Sequence, residues 1–340
     1  MRVEHPFRSA FDLLVHGAPI EAQLIVTRRC NLSCGYCSEY DTHSREVPFE
    51  VLCERIDAIH RLRCSNIALL GGEPLLHSRI HDLVRRAAGR AQVSLTTNGL
   101  LLDRRMIERL GDAGLANLQV SIDAVHVDPT HYIQKTLHSL EPKLERLAKY
   151  ARFEVHLATV LCSETVSTFD ELLTALERYP FRIAVHIVHD DNGQALVSGS
   201  AYERAWQRHY RRGRPFSFIE EKYGRRLLRG ERPEWTCQAG ARFLYVGEDG
   251  MVELCSGQRG RIGKQITEYR QADLDAHRNQ KKGCEKGCSI LCAYRDSMLD
   301  DDPPALLWSV LRGFRKGVRW RAPAAAEAAG VTVRRLPLAP

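Results

Sequence analysis

Cys30, Cys34 and Cys37 fall in the short run Cys30-Asn31-Leu32-Ser33-Cys34-Gly35-Tyr36-Cys37. Three thiolates so spaced can each take one iron of a cubane [4Fe–4S] cluster, leaving its fourth iron without a protein ligand. Structural iron–sulfur sites use four cysteines. A site one ligand short keeps a coordination position for a substrate or cofactor, as catalytic metal sites do. Three other uses of the triplet compete. A disulfide would leave one thiol over. Zinc would want a fourth ligand from a second knuckle, and its cysteine pairs are usually C-x2-C twice. Chance grouping among eleven cysteines is opposed by position: Gln23–Thr27 alternates like a strand, and the triplet follows at once in a loop.

The C-x3-C-x2-C spacing, with an aromatic just before the last cysteine, resembles the radical S-adenosylmethionine (radical SAM) superfamily, in which the open iron chelates the amino and carboxylate groups of SAM. Gly71-Gly72-Glu73-Pro74 follows the apolar run Ile67-Ala68-Leu69-Leu70. Glycines there permit close approach of the backbone to a ligand, and Glu73 offers an acceptor for an ammonium. The segment is similar to the family's GGE(P) motif, and the resemblance implies that Gly71, Gly72, Glu73 and Pro74 hold the methionyl amino group. It is not a G-x-G-x-x-G fingerprint, so a nicotinamide site gains little support. Thr96-Thr97-Asn98-Gly99 closes the next strand; the resemblance implies that Thr97 and Asn98 line the SAM site, while Asn98-Gly99 is also a turn in its own right. Ser121 and Asp123 close the strand after that, where the family often faces ribose or substrate. Tyr36 resembles the aromatic that packs on the adenine, against the plainer reading of an exposed loop tyrosine.

The chemistry implied starts with one electron from an external donor such as flavodoxin or ferredoxin. The reduced cluster cleaves the sulfonium to methionine and a 5′-deoxyadenosyl radical, which takes a hydrogen atom from substrate. The cofactor performs the hard step and the protein positions it. Cys162 ends another strand; in a redox-neutral epimerase its thiol would return a hydrogen atom. His186, His189, Asp190 and Asp191 end the sixth strand, as contacts to SAM or substrate or as a loop cap.

A second group of cysteines lies downstream. Arg242–Val246, Gly247-Glu248-Asp249-Gly250 and Met251–Leu254 read as a β-hairpin that would bring Cys237 and Cys255 together. Cys284, Cys288 and Cys292 follow in C-x3-C-x3-C spacing. The group resembles the SPASM/twitch extension of radical SAM enzymes, which binds auxiliary [4Fe–4S] clusters. Two fully ligated clusters need eight thiolates and this module has five, so one cluster is expected, held by Cys237, Cys255 and two of Cys284, Cys288 and Cys292. A zinc ribbon would use the same thiolates.

The elements that must position these residues are legible in the hydrophobic period. Six short apolar runs from Gln23–Thr27 to Ile183–His189 alternate with helical patterns, which reads as a parallel sheet with right-handed crossovers. Six units are too few for an eight-stranded barrel. The fold class expected is therefore α/β, a partial (β/α)6 TIM-like barrel, as in the radical SAM core, with a small C-terminal iron–sulfur module. The boundaries expected are a lead-in over 1–19, the barrel over 20–215, the auxiliary module over 216–298 and a tail over 299–340.

Composition narrows the class. With 44% hydrophobic and 27% charged residues the 340-residue chain reads as globular, and its eleven cysteines favour metal ligation over disulfides. A secretory leader and a membrane span are not expected. The net charge of +7 is concentrated: residues 312–340 hold seven Lys/Arg against Glu327, so no broad nucleic-acid-binding face is implied. On a helical wheel Leu307, Val310, Leu311, Phe314 and Val318 share one face, with Arg312, Arg315, Lys316 and Arg319 on another and Trp308 and Trp320 at the flanks. That pattern suits either a helix on an anionic membrane surface or one packed on the body. Residues from Ala322 on read as disordered. The function expected is oxidation or C–H functionalisation of a small molecule, carbohydrate-like or lipid-linked, by a cytoplasmic enzyme that touches the inner membrane face through its tail. The alternatives are a maturase or epimerase of a ribosomally made peptide and, from another class, a non-catalytic iron–sulfur or zinc regulator, which would have no use for Gly71–Pro74.

Overall fold

The computed structural model describes residues 6–37, 39–126 and 135–315. Helix α1 (Pro6–Val15) leads into β1 (Glu21–Thr27), α2 (Phe49–Arg61) and β2 (Asn66–Gly71). The alternation continues with α3 (Ile80–Ala87), β3 (Gln92–Thr97), α4 (Arg104–Asp112), β4 (Asn117–Ser121), α5 (Leu137–Tyr150), β5 (Glu154–Leu161), α6 (Phe169–Leu176) and β6 (Arg182–Ile187). Two helices follow, α7 (Ser200–Arg212) and α8 (Glu220–Leu228). Then come β7 (Phe243–Val246), β8 (Met251–Glu253), β9 (Lys264–Gln265), α9 (Gln271–His277), α10 (Leu291–Asp301) and α11 (Pro303–Arg315). Pro303 and Pro304 lie in the first turn of α11, where proline is tolerated, and α10 stops just before them.

Strands β1 to β6 pair in parallel, each beside the next, which is the arc the alternating pattern predicts. In register, Leu24 meets Leu69, Leu69 meets Leu95, Leu95 meets Leu118 and Leu118 meets Val155. The four leucines are fully buried under the helices, each contributing roughly 2 kcal/mol of burial. The other face is mixed: Glu21, Gln23, Asn66, Ser94, Gln119 and His156 bring polar groups into the arc among apolar Ala68, Leu70, Ala158 and Val160.

The sheet does not end at β1. Strand β7 pairs with it in parallel, Glu21 opposite Phe243 and Leu24 opposite Val246, and β8 and β9 add antiparallel neighbours. The predicted hairpin therefore exists, and it extends the barrel sheet on the flank of its first strand. Gly250 takes φ +86° in its turn.

The Gly71-Gly72 pair answers to a constraint of the chain itself. A Cβ on Gly71 would collide with the Thr27 carbonyl oxygen, and one on Gly72 with the carbonyls of Arg28 and Arg29. The close approach is to the backbone that opens the cysteine loop. Because backbone cannot step aside as a flexible side chain can, Gly72→Ala should lower the unfolding free energy of the metal-free chain by about 3 kcal/mol in a urea titration. Gly35→Ala, whose Cβ would meet nothing within 4 Å, should leave it unchanged.

Candidate active site

The cysteine loop leaves the C-terminal end of β1 and is fastened at both ends. Cys30 N–H donates to the Asp41 carbonyl (2.9 Å) and Asp41 N–H to the Arg28 carbonyl (2.8 Å). Inside the loop Cys37 N–H donates to the Cys34 carbonyl (3.1 Å), and Leu32 N–H points at the Cys30 sulfur (3.4 Å). Cys34 is buried, Cys30 half-buried and Cys37 exposed. Burial, and after it the neighbouring Glu73 and thiols, hold the Cys30 thiol above its ordinary range.

The Gly71–Pro74 turn docks on this loop through backbone. Gly72 N–H donates to the Thr27 carbonyl (2.8 Å) and Glu73 N–H to that of Arg29 (2.9 Å). The Glu73 carboxylate, wholly buried, accepts from the Thr97 hydroxyl (2.7 Å), Asn98 N–H (2.8 Å) and Leu75 N–H (3.0 Å). Burial raises its pKa, while those bonds favour the charged form. Asn98 completes the ring: its side-chain amide donates to Asn31 Oδ1 (2.7 Å) in the cysteine loop. A carboxylate has about four acceptor positions, so one remains at Glu73 for a ligand.

Tyr36, Asp123 and a residue the sequence did not single out, Lys135, form the next group. The Tyr36 hydroxyl donates to Asp123 Oδ2, and Lys135 Nζ lies 2.9 Å from the same oxygen and 5.0 Å above the Tyr36 ring. Asp123 Oδ1 accepts from Val160 N–H (3.0 Å). Burial alone would lower the Lys135 pKa, but Asp123 and Cys34 hold it above the usual range. Lys135 lies twelve positions beyond Asp123 in the sequence, with no spacing signal to join the two; the group ties Tyr36 to the ends of β4 and β5.

Ser121 ends β4 half-buried. Cys162 follows β5, buried, with its N–H donating to Thr165 Oγ1 (3.0 Å) and its sulfur 3.5 Å from that hydroxyl. Burial pushes the thiol up to about 11, so it stays protonated. Asp190 caps its own turn through Asn192 and Gln194 N–H groups (2.9 and 2.8 Å), which favours the loop-cap reading there. His186, opposite Val160 in β5, keeps a buried Nε2 without a hydrogen-bond partner among the described residues. Deeper in the arc, Asn66 donates to Glu21 (3.2 Å) and Ser94 (2.9 Å), His156 bonds Asn117 and Gln119 (both 2.8 Å), and Arg295 of α10 pairs with Glu21 (3.3 Å).

The second cysteine group converges. Cys237, Cys255, Cys284 and Cys288 line one enclosed cavity with Trp235, Leu254 and Ile290. That is the full thiolate set of an all-cysteine cluster. Among the described residues no three His, Cys, Asp or Glu side chains are set to hold a single metal ion; four thiolates are the ligand count of a cubane cluster and of a zinc ribbon alike. Burial pushes the thiol of Cys237 up to about 12 and that of Cys255 to about 11, so a metal would have to displace their protons.

Cys292, expected among the possible metal ligands, is not one of this group. It sits in the first turn of α10, beside Glu21, Arg295 and Asp296. The helix begins between it and Cys288 and turns its side chain toward the barrel floor, away from the cavity.

A model of the radical SAM superfamily matches residues 24–191. Among curated relatives, a probable GTP 3′,8-cyclase of Archaeoglobus fulgidus is 30% identical over 131 residues, 36% of this chain and 44% of that protein. A PqqA peptide cyclase of Granulibacter bethesdensis is 30% identical over 158 residues, 45% of this chain and 42% of that protein. The chain thus spans less than half the length of these two relatives. Among solved structures, Streptococcus suis SuiB bound to precursor peptide SuiA superposes with a TM-score of 0.59 at 14% identity, over 84% of this chain and 74% of that one. Native anSMEcpe with bound AdoMet gives 0.57 at 14% identity, over 88% of this chain and 100% of that one. These two likenesses concern the fold. The matched span opens inside β1 and closes just past β6, so it takes in nearly all of the parallel arc, and this part of the chain is a radical SAM domain.

Proposed function

We propose that the protein is a radical SAM enzyme that takes a hydrogen atom from a polar small molecule, carbohydrate-like or lipid-linked, with an auxiliary [4Fe–4S] cluster in the cavity of Cys237, Cys255, Cys284 and Cys288. Its SAM-binding cluster would be held by Cys30, Cys34 and Cys37. When bound and reduced, that cluster would supply the electron that splits the SAM sulfonium and so generates the 5′-deoxyadenosyl radical. The chain's own residues would then bind and orient. Gly71 and Gly72 fix the turn against the cysteine loop, Glu73 keeps an acceptor position for the methionyl ammonium, and Asn98 braces the loop from β3. Tyr36, anchored by Asp123 and Lys135, would present its ring to the adenine.

One observation carries the substrate class: in an arc rich in hydrogen-bonding groups, the buried Nε2 of His186 has no partner among the described residues. A buried polar atom of that kind is costly unless a ligand or water meets it. A hydroxyl-rich substrate would satisfy it; a bare hydrocarbon would not. A peptide is the second reading, favoured by the PqqA peptide cyclase relative. No helix among the described residues is long and apolar enough to cross a membrane. Yet α11 packs on the body through Ala305, Leu306 and Ser309, with Arg312 paired to Glu221, and leaves Leu307, Trp308, Val310 and Leu311 about half or more exposed. An apolar face turned outward supports docking on a lipid surface, where a lipid-linked substrate would be met; the basic residues that would favour anionic lipid, Lys316 and Arg319, lie outside the described residues.

Loaded with iron and sulfide under anaerobic conditions, the protein should release 5′-deoxyadenosine from SAM once a strong reductant is added; release of none would remove the enzymatic reading. A Cys30/Cys34/Cys37→Ala variant should retain about four irons. Adding Cys288→Ala should empty it, whereas adding Cys292→Ala should not. Vesicles containing anionic phospholipid should bind the protein in a salt-sensitive way. Leu307→Asp with Leu311→Asp should abolish that binding, and equal binding by the pair would dismiss the lipid surface.

A further inference from the structure

The auxiliary cavity is closed on most sides and leaks at one edge. Cys237, Cys255 and Cys288 are buried, while Cys284 is partly exposed. That edge is collared by cations. Arg261, itself exposed, places Nη1 3.8 Å from the Cys284 sulfur and is held there by bonds to Gln258 Oε1 (3.0 Å) and the Lys282 carbonyl (2.8 Å). Gln194 links the Cys284 carbonyl (2.8 Å) to Arg232 (3.3 Å). Lys281 and Lys286 flank Cys284 in sequence and are exposed. Carboxylates also lie close by. Glu285 is buried and turned inward, where it accepts from Lys282 N–H. Glu234 is outside, 2.5 Å from Lys286, and also feels Lys281. Among the described residues, exposed Arg232, Arg261, Lys281 and Lys286 outnumber the exposed acids Glu234 and Asp191 around the least covered ligand, which leaves a positive rim on a body that is otherwise nearly neutral.

We propose that this rim is the docking face for an acidic one-electron carrier protein, and that electrons pass between carrier and auxiliary cluster at the Cys284 edge. The inference rests on the auxiliary-cluster reading above. The exchange balances as a single electron: the reduced carrier is oxidised by one electron, the cluster is reduced by one, and no bond or proton moves. Positive charge at the rim would steer an acidic partner and hold its redox centre near the least covered sulfur. The three buried ligands offer no comparable approach.

The test uses the iron-loaded full chain with flavodoxin as the acidic probe, binding being measured at low and at high salt. Binding should weaken at least tenfold at high salt. It should weaken at least tenfold in Lys281→Glu/Lys286→Glu, and stay unchanged in Arg211→Glu/Arg212→Glu, which makes the same change in net charge at the exposed end of α7. Equal affinities in all three proteins, or equal losses in both variants, would overturn the docking face. As a second readout, the auxiliary cluster of the Cys30/Cys34/Cys37→Ala variant should be reduced by photoreduced flavodoxin at least tenfold more slowly when the two lysines are reversed, and at the same rate by a small photoreductant. Slowing with both reductants, or with neither, would count against docking. Absence of iron from that variant would overturn the auxiliary-cluster reading itself, whatever the binding shows.

Discussion

A closed circuit of hydrogen bonds holds the mouth of this barrel together. It runs from the Arg29 carbonyl to Glu73 N–H, through the Glu73 carboxylate to Thr97 and Asn98, and through the Asn98 amide back to Asn31. The cysteine loop would otherwise be a run of polar and small residues with little apolar surface to bury. Fixing each of its residues costs about 1–2 kcal/mol of backbone entropy. The circuit offsets that cost with bonds to a charged acceptor, the stronger kind, inside a site shielded from water. The loop is thereby fastened by protein groups alone, through Glu73, Thr97 and Asn98.

The pairing of β7 with β1 gives the molecule its second constraint. The C-terminal end of β1 leads to the cysteine triplet, while the edge facing away from β2 carries the hairpin of the auxiliary module. The seam is reinforced by side chains: Glu39, just past Cys37, accepts from the Tyr245 hydroxyl (2.5 Å) and from Arg259 (2.7 Å). Arg28 lies 3.8 Å from Glu39 and 3.7 Å from Glu248. The two cysteine sites are therefore joined by a hydrogen-bonded ladder as well as by an ionic cluster, and their separation is a property of the sheet.

What the sequence disclosed and what it concealed follow from the range of the interactions involved. The triplet, the Gly71–Pro74 turn and the alternation of β1 to β6 were legible because each is a local pattern with a steric or chemical cause. The faces of α11 were legible from their period, but which face meets the body depends on Glu221 and Phe218, far off in the chain. Lys135 was hidden because no motif or period links it to Asp123 twelve positions earlier. The β1–β7 pairing was hidden because two short apolar strands carry no mark of their partner. Cys292 misled because α10 starts at Leu291 behind Ile290, which supplies no side-chain cap; without a capping residue nothing in the spacing announced that the chain had become helical between Cys288 and Cys292.

The late arrival of β7 has a consequence for biosynthesis. Strand β1 carries Leu24-Ile25-Val26, and until β7 emerges one of its edges has no neighbour. A ribosome adding about 5–20 residues per second needs roughly ten to forty seconds to travel from one strand to the other. For that interval the nascent chain displays an apolar strand with an open rim of amides and carbonyls, the kind of template on which other chains assemble. The hairpin that frames the auxiliary site thus doubles as the cover that ends this exposure, and a translation product cut short before Phe243 would keep it for life.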